Sequence, residues 1–135
     1  MTVFLDVLIV EAGKVPREAK IEDSLQAKQQ IVGGLIEAVY PSADPVALVC
    51  NESGKINGLP LNRALYDGTG HVYEIICGTF FICGLTNDNF GSLTPELMQK
   101  YKELFKHPEL ISFHDGELRA IKIIPIDDEG DEAED

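Results

Sequence analysis

Runs of apolar residues along the chain predict a series of β-strands. The first run, Val3 to Val10, is interrupted only by Asp6 and is rich in branched side chains, which favours a buried strand. Residues 17–22 alternate polar side chains with Ala and Ile and predict a short edge strand. Two further β-rich runs, at 35–41 and 45–52, are bounded by prolines and predict a hairpin.

The strongest β signal is the stretch from Val72 to Leu85. Gly78 and Thr79 interrupt its dense apolar run, which predicts a central strand that is bent or bulged at Gly78. The last apolar stretch, residues 110–126, surrounds Asp115-Gly116. Because this dipeptide favours two-residue turns, the stretch predicts a second hairpin.

Two segments have the signals of helices. Residues 25–32 follow Asp23 and Ser24, either of which can cap a helix, and precede Gly33-Gly34, which can adopt the left-handed conformation that ends one. Residues 92–108 predict a longer helix with Thr94 as its N-cap and Pro95 in its first turn. Its apolar stripe consists of Leu97, Met98, Tyr101, Leu104 and Phe105.

Consecutive strands with only two helices predict an α+β fold. We expect a mainly antiparallel sheet with the two helices packed on one of its faces. A chain of 135 residues, 44% of them apolar, is long enough to bury a core of its own. We therefore predict a single globular domain over residues 1–126.

The acidic charge is concentrated at the C-terminal end. The chain has a net charge of −12, but residues 127–135 contain seven acids and no base, so the remaining body carries −5. This composition predicts a disordered acidic tail. The charge disfavours direct binding to nucleic acid or to an anionic membrane, and it permits DNA mimicry toward a basic partner. A solubilising role is the simpler interpretation of the tail.

The sequence predicts a cytoplasmic location. The N-terminus lacks the basic region and the cleavage site of a signal peptide. No segment approaches the roughly 18 to 20 apolar residues of a membrane span. The three cysteines, an odd number, are expected to be reduced thiols.

A phosphate-binding loop is excluded by spacing. A Walker-type loop requires GxxxxGK followed by Ser or Thr, between a strand and a helix. Here Gly54-Lys55 is followed by Ile56, in a segment without a helical period. We expect a turn between two strands instead.

Metal binding and catalysis have no convincing set of residues. His71, His107 and His114 are far apart, and the cysteines lack metal-ligand spacing. Cys77 lies near a bend, but a cysteine inside so apolar a run is typical of a core. We predict no catalytic residue, no metal ligand and no cofactor, and we favour a non-enzymatic protein.

The pair Asn62-Arg63 is the strongest candidate for binding. It follows Gly58-Leu59-Pro60, which should hold it on a rigid loop, and Arg63 is isolated from other bases. Its planar guanidinium suits a carboxylate, a phosphate or a peptide carbonyl of a ligand. Binding of loop carbonyls, or pairing with Glu52 or Asp67, is the simpler interpretation of Arg63. The predicted ligand-binding residues are Asn51, Lys55, Asn62, Arg63 and, behind them, Thr79.

The pattern CNExGKxxGLPxNRxL followed by IxGTFF, at 50–65 and 76–81, resembles a family. Together with residues 32–37, it is similar to a small domain-of-unknown-function family of Gram-positive bacteria, phages and mobile elements. The resemblance implies an accessory protein of a mobile element in the bacterial cytosol, with a role in countering host defence as one hypothesis. It implies no activity and no catalytic residue.

Two functions remain open from the sequence. The first is a non-enzymatic module that binds a small molecule or a nucleotide, in which a homo-oligomer could assemble pockets at its interfaces. The alternative is an acidic protein-interaction module or DNA mimic that inhibits a host protein with a basic surface.

Overall fold

The structure is a computed structural model that describes residues 2–124, with the backbone alone for residues 113 and 114. The predicted acidic tail at 127–135 lies outside the described residues, and the single domain over 1–126 stays a prediction. Ten strands and two helices form the described part. They are β1 (Phe4–Val10), β2 (Arg17–Glu22), α1 (Leu25–Val32), β3 (Ile36–Val39), β4 (Val46–Asn51), β5 (Leu61–Tyr66), β6 (Val72–Cys77), β7 (Phe80–Leu85), β8 (Phe90–Gly91), α2 (Pro95–Leu104), β9 (Glu109–His114) and β10 (Glu117–Lys122).

The strands form one large antiparallel sheet and two small ones. The main sheet has the order β2-β1-β7-β4-β3, with β8 paired to β7. The hairpins β5–β6 and β9–β10 are separate two-stranded sheets, and every strand pair is antiparallel. The predicted α+β fold is confirmed, as is the edge position of β2.

Side chains of the central strands alternate between two buried faces. This is why the strand sequences are nearly continuous in apolar residues rather than alternating with polar ones. One face contains Leu8, Val10, Val46, Leu48, Cys50, Phe80 and Ile82. The other contains Leu5, Val7, Ile9, Ala47, Val49, Phe81 and Cys83.

The two helices lie on opposite faces of the main sheet, so the expectation that both pack on one face is wrong. Met98, Tyr101 and Phe105 bring α2 to the first face. Val32 brings α1 to the second. A helical stripe tells which side of a helix is apolar, but it does not tell which face of a sheet that side meets.

The helix ends agree with the sequence. The side chain of Ser24 accepts a hydrogen bond from Ala27 N at 3.1 Å, and Gly33 ends α1 with a φ of 80°. The side chain of Thr94 accepts from Leu97 N at 3.2 Å, with Pro95 in the first turn of α2. Capping depends on neighbouring residues alone, and it was therefore predictable.

The stretch from Val72 to Leu85 is two strands in two sheets, not one bent strand as predicted. Strand β6 pairs with β5, whereas β7 is the centre of the main sheet between β1 and β4. Gly78 makes the break with a φ of 85°, and its amide donates to Pro60 O at 2.7 Å. The residues on either side of the break, Ile75 to Cys77 and Phe80 to Gly84, are buried, so the apolar pattern does not reveal the change of sheet.

The hairpin β9–β10 turns at Asp115-Gly116, as predicted. Both residues have positive φ, 53° and 82°, the requirement of a type I′ turn. The inner side of the hairpin packs through Ile111 against Ile75 and Cys77 of β6. This contact creates the cavity described below.

Candidate functional site

The segment from Cys50 to Leu65 connects the main sheet to the β5–β6 hairpin by a series of tight turns. Leu59 N donates to Gly54 O at 3.0 Å, and Asn57 N donates to Ser53 O at 2.8 Å. A side chain at Gly54 would meet Cys77 O at 2.8 Å, which explains why glycine is required there. No helix follows the turns, because the next element is β5.

The prediction that Asn62 and Arg63 lie on a loop is wrong. Both residues are on β5, where they are buried at 0% exposure. The Nε and Nη2 atoms of Arg63 donate to Phe105 O at 3.3 and 3.0 Å, and Nη2 also donates to Lys14 O at 2.7 Å. Nη1 donates to Oδ1 and to the carbonyl of Asn62 at 2.8 and 3.4 Å. Since a guanidinium has five N–H donors, these five contacts satisfy it within the chain.

The amide of Asn62 is satisfied in the same way. Its Nδ2 donates to Val10 O at 3.0 Å and to Gly78 O at 2.8 Å, while its Oδ1 accepts from Arg63. These two side chains and the carbonyls that they bind form the Asn62–Arg63 cluster. The cluster joins the end of β1, the break between β6 and β7, and the end of α2.

Arg63 is a buried cation that is stabilised mainly by backbone carbonyls. Burial lowers the pKa of its guanidinium, and the carboxylate of Glu109 opposes that shift. The carbonyl of Phe105 belongs to the C-terminal cap of α2, where the helix dipole favours a positive charge. The ordinary pKa of arginine is so high that the group stays charged.

Asn51 also has its partners within the chain. Its Nδ2 donates to Val32 O at 3.1 Å, and its Oδ1 accepts from Ser53 N at 2.8 Å. Thr79 is half-buried beside the break at Gly78. Neither of the two cavities near Lys55 has Asn62, Arg63 or Thr79 in its lining, so the structure does not bring the predicted binding residues into one pocket.

Lys55 lies between two cavities. Its ammonium pairs with Glu74 at 3.0 Å, and its side chain is 57% exposed. On one side it shares a small polar cavity of about 230 Å³ with Asn51 and three carboxylates. Those carboxylates belong to Glu37, Glu52 and Glu74.

The second cavity, here called the Lys55 cavity, is larger and mainly apolar. It has a volume of about 400 Å³ and lies between the loop, the β5–β6 hairpin and the β9–β10 hairpin. Lys55 provides its charged group. The remaining lining residues are Gly58, Leu59, Leu61, Ile75, Cys77, Ile111, Ser112 and Leu118.

The apolar lining was missed because leucine and isoleucine in a strand pattern indicate a core. Here Ile75 and Ile111 do belong to a small buried cluster, and the cavity opens beside it. The two hairpins are separated in sequence and meet only in the fold. The Gly58-Leu59-Pro60 turn, which the sequence pattern does indicate, forms one wall of the cavity through Gly58 and Leu59.

The cysteines are unsuited to nucleophilic chemistry. Burial raises the pKa of Cys50 to about 11 and that of Cys83 to about 12. Burial also raises the pKa of Cys77, with Lys55 opposing the shift. All three thiols are therefore protonated near neutral pH.

Neither a metal site nor a membrane span is found in the part of the chain that the structure describes. Residues 2–124 contain no group of three or more His, Cys, Asp or Glu side chains that could hold a metal ion. Within the same residues, no helix is long and apolar enough to cross a membrane.

Comparison with known families identifies the larger part of the chain. A family model described as a domain of unknown function, DUF3846, matches residues 3–106. The chain belongs to the DUF3846 family. No curated protein and no solved structure matches the chain.

The DUF3846 match contains the main sheet, both helices and the loop with Lys55. It ends before β9, so the hairpin that closes the Lys55 cavity lies outside the matched residues. The predicted resemblance to a domain of unknown function is thereby confirmed at the level of the family.

Proposed function

We propose that this protein is a non-enzymatic binding protein whose ligand is a mainly apolar small molecule with one anionic group. The observation that supports this proposal is the Lys55 cavity. Its volume of about 400 Å³ is that of a small-molecule site, and its lining is apolar except at Lys55 and Ser112. Such sites combine apolar walls with a few polar groups that orient the ligand.

Charge favours a ligand with a single negative group over a nucleotide, the other ligand class considered above. Lys55 is the one base that lines either cavity, and it already pairs with Glu74. A polyphosphate would meet the carboxylates of Glu37 and Glu52 on the polar side of Lys55. Repulsion from these nearby carboxylates disfavours a polyphosphate more than a monoanion, because the polyphosphate carries more negative charge.

The ligand roles of Asn62 and Arg63 stay predictions, and the proposal does not depend on them. Their donors are engaged by carbonyls of the chain. Lys55 keeps its proposed place at the ligand, because it lines the Lys55 cavity. Asn51 lines only the polar cavity on the other side of Lys55, so its ligand role also stays a prediction.

For the cellular context, we propose an accessory protein of phages or mobile elements of Gram-positive bacteria, located in the host cytosol. The support is the sequence similarity of residues 32–37, 50–65 and 76–81 to that family. Binding a small signalling molecule without converting it would remove that molecule from a host defence pathway.

The binding proposal is tested with 8-anilinonaphthalene-1-sulfonate, an apolar probe that carries one sulfonate. Ser112→Phe places a ring in the cavity from an exposed strand position, and Lys55→Gln removes the charge. We expect each substitution to weaken probe binding about tenfold. The control is Lys106→Gln, which changes a lysine of similar exposure, 53%, outside the cavity lining.

A second measurement uses the natural ligand. Native mass spectrometry of protein purified from host cells should show a retained small molecule in the wild type and in Lys106→Gln. Ser112→Phe should lose it. If the wild type binds neither the probe nor a cellular molecule, or if both cavity variants bind like the control, the proposal is wrong.

A second candidate function is an acidic interaction module or DNA mimic toward a basic host protein. The observation in its favour is the net charge of −12, to which the seven acidic residues at 127–135 contribute −7. Replacing those seven acids with Asn and Gln in the full chain should weaken partner capture, and added salt should do the same. Capture that resists both changes would exclude charge mimicry.

A further inference from the structure

Strand β2 presents an open edge of the main sheet. It ends the strand order, and its register with β1 is regular from Phe4 opposite Glu22 to Ile9 opposite Arg17. Pro16 lies just before the strand, so no proline interrupts it. A regular edge of this kind is a template for another strand.

The backbone groups that face outward can be assigned. Asp23 N donates to Val3 O at 2.8 Å, and hydrogen-bonded pairs alternate along an antiparallel ladder. Asp6, opposite Lys20, directs its own N–H and C=O away from β2, to Ser92 and Leu93. Every second residue of β2 therefore points its N–H and C=O outward. These residues are Glu18, Lys20 and Glu22.

The charges along this edge are complementary to themselves in one register. A two-fold axis normal to the sheet at Ala19 places Glu18 opposite Lys20 of a second copy, and Lys20 opposite its Glu18. An axis at Lys20 would place Lys20 opposite Lys20 and Glu18 opposite Glu22. Opposite charges across a strand pair stabilise it, and like charges destabilise it.

Other registers fit less well. An axis at Glu18 would place two carboxylates opposite each other. An axis at Ile21 would keep Lys20 opposite Glu22, but it would overlap only a short part of the strand before α1 begins at Leu25. The register centred on Ala19 overlaps most of β2 and has the favourable charges.

We propose that two copies of this chain associate through β2, antiparallel and centred on Ala19, so that their main sheets become one continuous sheet. Glu18 and Lys20 exchange backbone hydrogen bonds with Lys20 and Glu18 of the second copy. Such an interface is isologous, as in most homodimers. The helices lie on the faces of the sheet and leave this edge accessible.

The side chains around the edge extend the charge pattern. Within one chain, Lys102 pairs with Glu18 at 2.9 Å, and Lys20 pairs with Asp6 at 2.6 Å. In the dimer, Glu18 joins Lys20 of the second copy. The result is a row of alternating charge across the interface. It runs from Lys102 and Glu18 of one copy to Lys20 and Asp6 of the other. The two-fold axis repeats the row, so it occurs twice.

An open cavity provides room for these side chains. It has a volume of about 500 Å³ and lies beside β2 at the start of α2. Glu18 and Lys20 are both in its lining. The side chains of Glu18 and Lys20 therefore have open space beside them on the α2 side of the sheet.

The test is sedimentation velocity of the full chain over a range of concentrations. The wild type, with a chain mass of 14.8 kDa, should sediment as a dimer of twice that mass. Lys20→Glu and Glu18→Lys should each raise the dissociation constant at least tenfold. Lys106→Glu reverses the charge of an exposed residue just after the end of α2 and outside β2, and it should leave the dimer unchanged.

Mixing the two edge variants distinguishes a lost interface from a lost fold. Lys20→Glu and Glu18→Lys place opposite charges at both pairs when combined, so an equimolar mixture should form heterodimers. The double variant E18K/K20E should again form homodimers. A monomeric wild type, or a mixture that stays monomeric, overturns the proposal.

Discussion

The Asn62–Arg63 cluster and the Lys55 cavity are only a few residues apart in sequence, and they differ in how their polar groups are used. In the cluster, every N–H of the two side chains has an acceptor in the same chain. At the cavity, a lysine with 57% exposure stands beside an apolar lining. An arginine in a distinctive motif can therefore stabilise the fold, while the cavity is lined by residues that the sequence pattern does not single out.

The largest expected effect breaks the cluster. Arg63→Ala removes the donors that bind Phe105 O and Lys14 O and leaves a buried gap. We expect the free energy of unfolding to fall by about 3–4 kcal/mol. Urea denaturation measures the change. Arg119→Ala, at a side chain with 56% exposure, is the control and should change stability by less than about 0.5 kcal/mol. Equal effects of the two substitutions would contradict a structural role for the cluster.

The second-largest effect concerns Gly78, which separates β6 from β7 and whose carbonyl accepts a hydrogen bond from Asn62. Gly78→Ala introduces a side chain at a φ of 85°, where its Cβ would lie 2.7 Å from Leu59 Cδ1. We expect a loss of about 1–3 kcal/mol in thermal or urea unfolding, because the conformation is strained for alanine and the contact is too close. Gly68→Ala is the matched control, since nothing lies within 4 Å of its added Cβ. A neutral Gly78→Ala would show that β6 and β7 can join without this turn.

A third experiment compares the reactivity of a cysteine at the Lys55 cavity with that of a cysteine in the main sheet. Cys77 lines the Lys55 cavity, whereas Cys83 is completely buried in the main sheet. At pH 8 we expect iodoacetamide to modify the native thiols at least about tenfold more slowly than the unfolded chain, since burial raises their pKa values and reduces the thiolate fraction. Cys77 should react first. Peptide mass spectrometry over time gives the order, and a faster Cys83 would contradict the assigned cavity.

The smallest effect is on stability at the cavity itself. Lys55→Gln removes one exposed ion pair with Glu74, and such pairs contribute little. The free energy of unfolding should change by less than about 0.5 kcal/mol. A loss comparable to that of Arg63→Ala would mean that Lys55 is structural, and the functional contrast between the two regions would disappear.

Local patterns allowed much of the fold to be predicted. The caps at Ser24 and Thr94, the turn at Asp115-Gly116 and the hairpin of β3 with β4 depend on residues that are close in sequence. Their backbone geometry is set by side chains within a few positions. Most elements and the α+β class were therefore predictable from local sequence patterns.

The packing partners of each element depend on the tertiary structure. The opposite faces for α1 and α2, the two sheets on either side of Gly78 and the burial of Arg63 all depend on partners that are distant in sequence. The Lys55 cavity likewise exists only because the β9–β10 hairpin packs against β6. An apolar pattern records that a residue is buried, but not against what. The physical reason is that apolar attraction is not directional, so the choice among apolar partners is made by the packing of the whole chain.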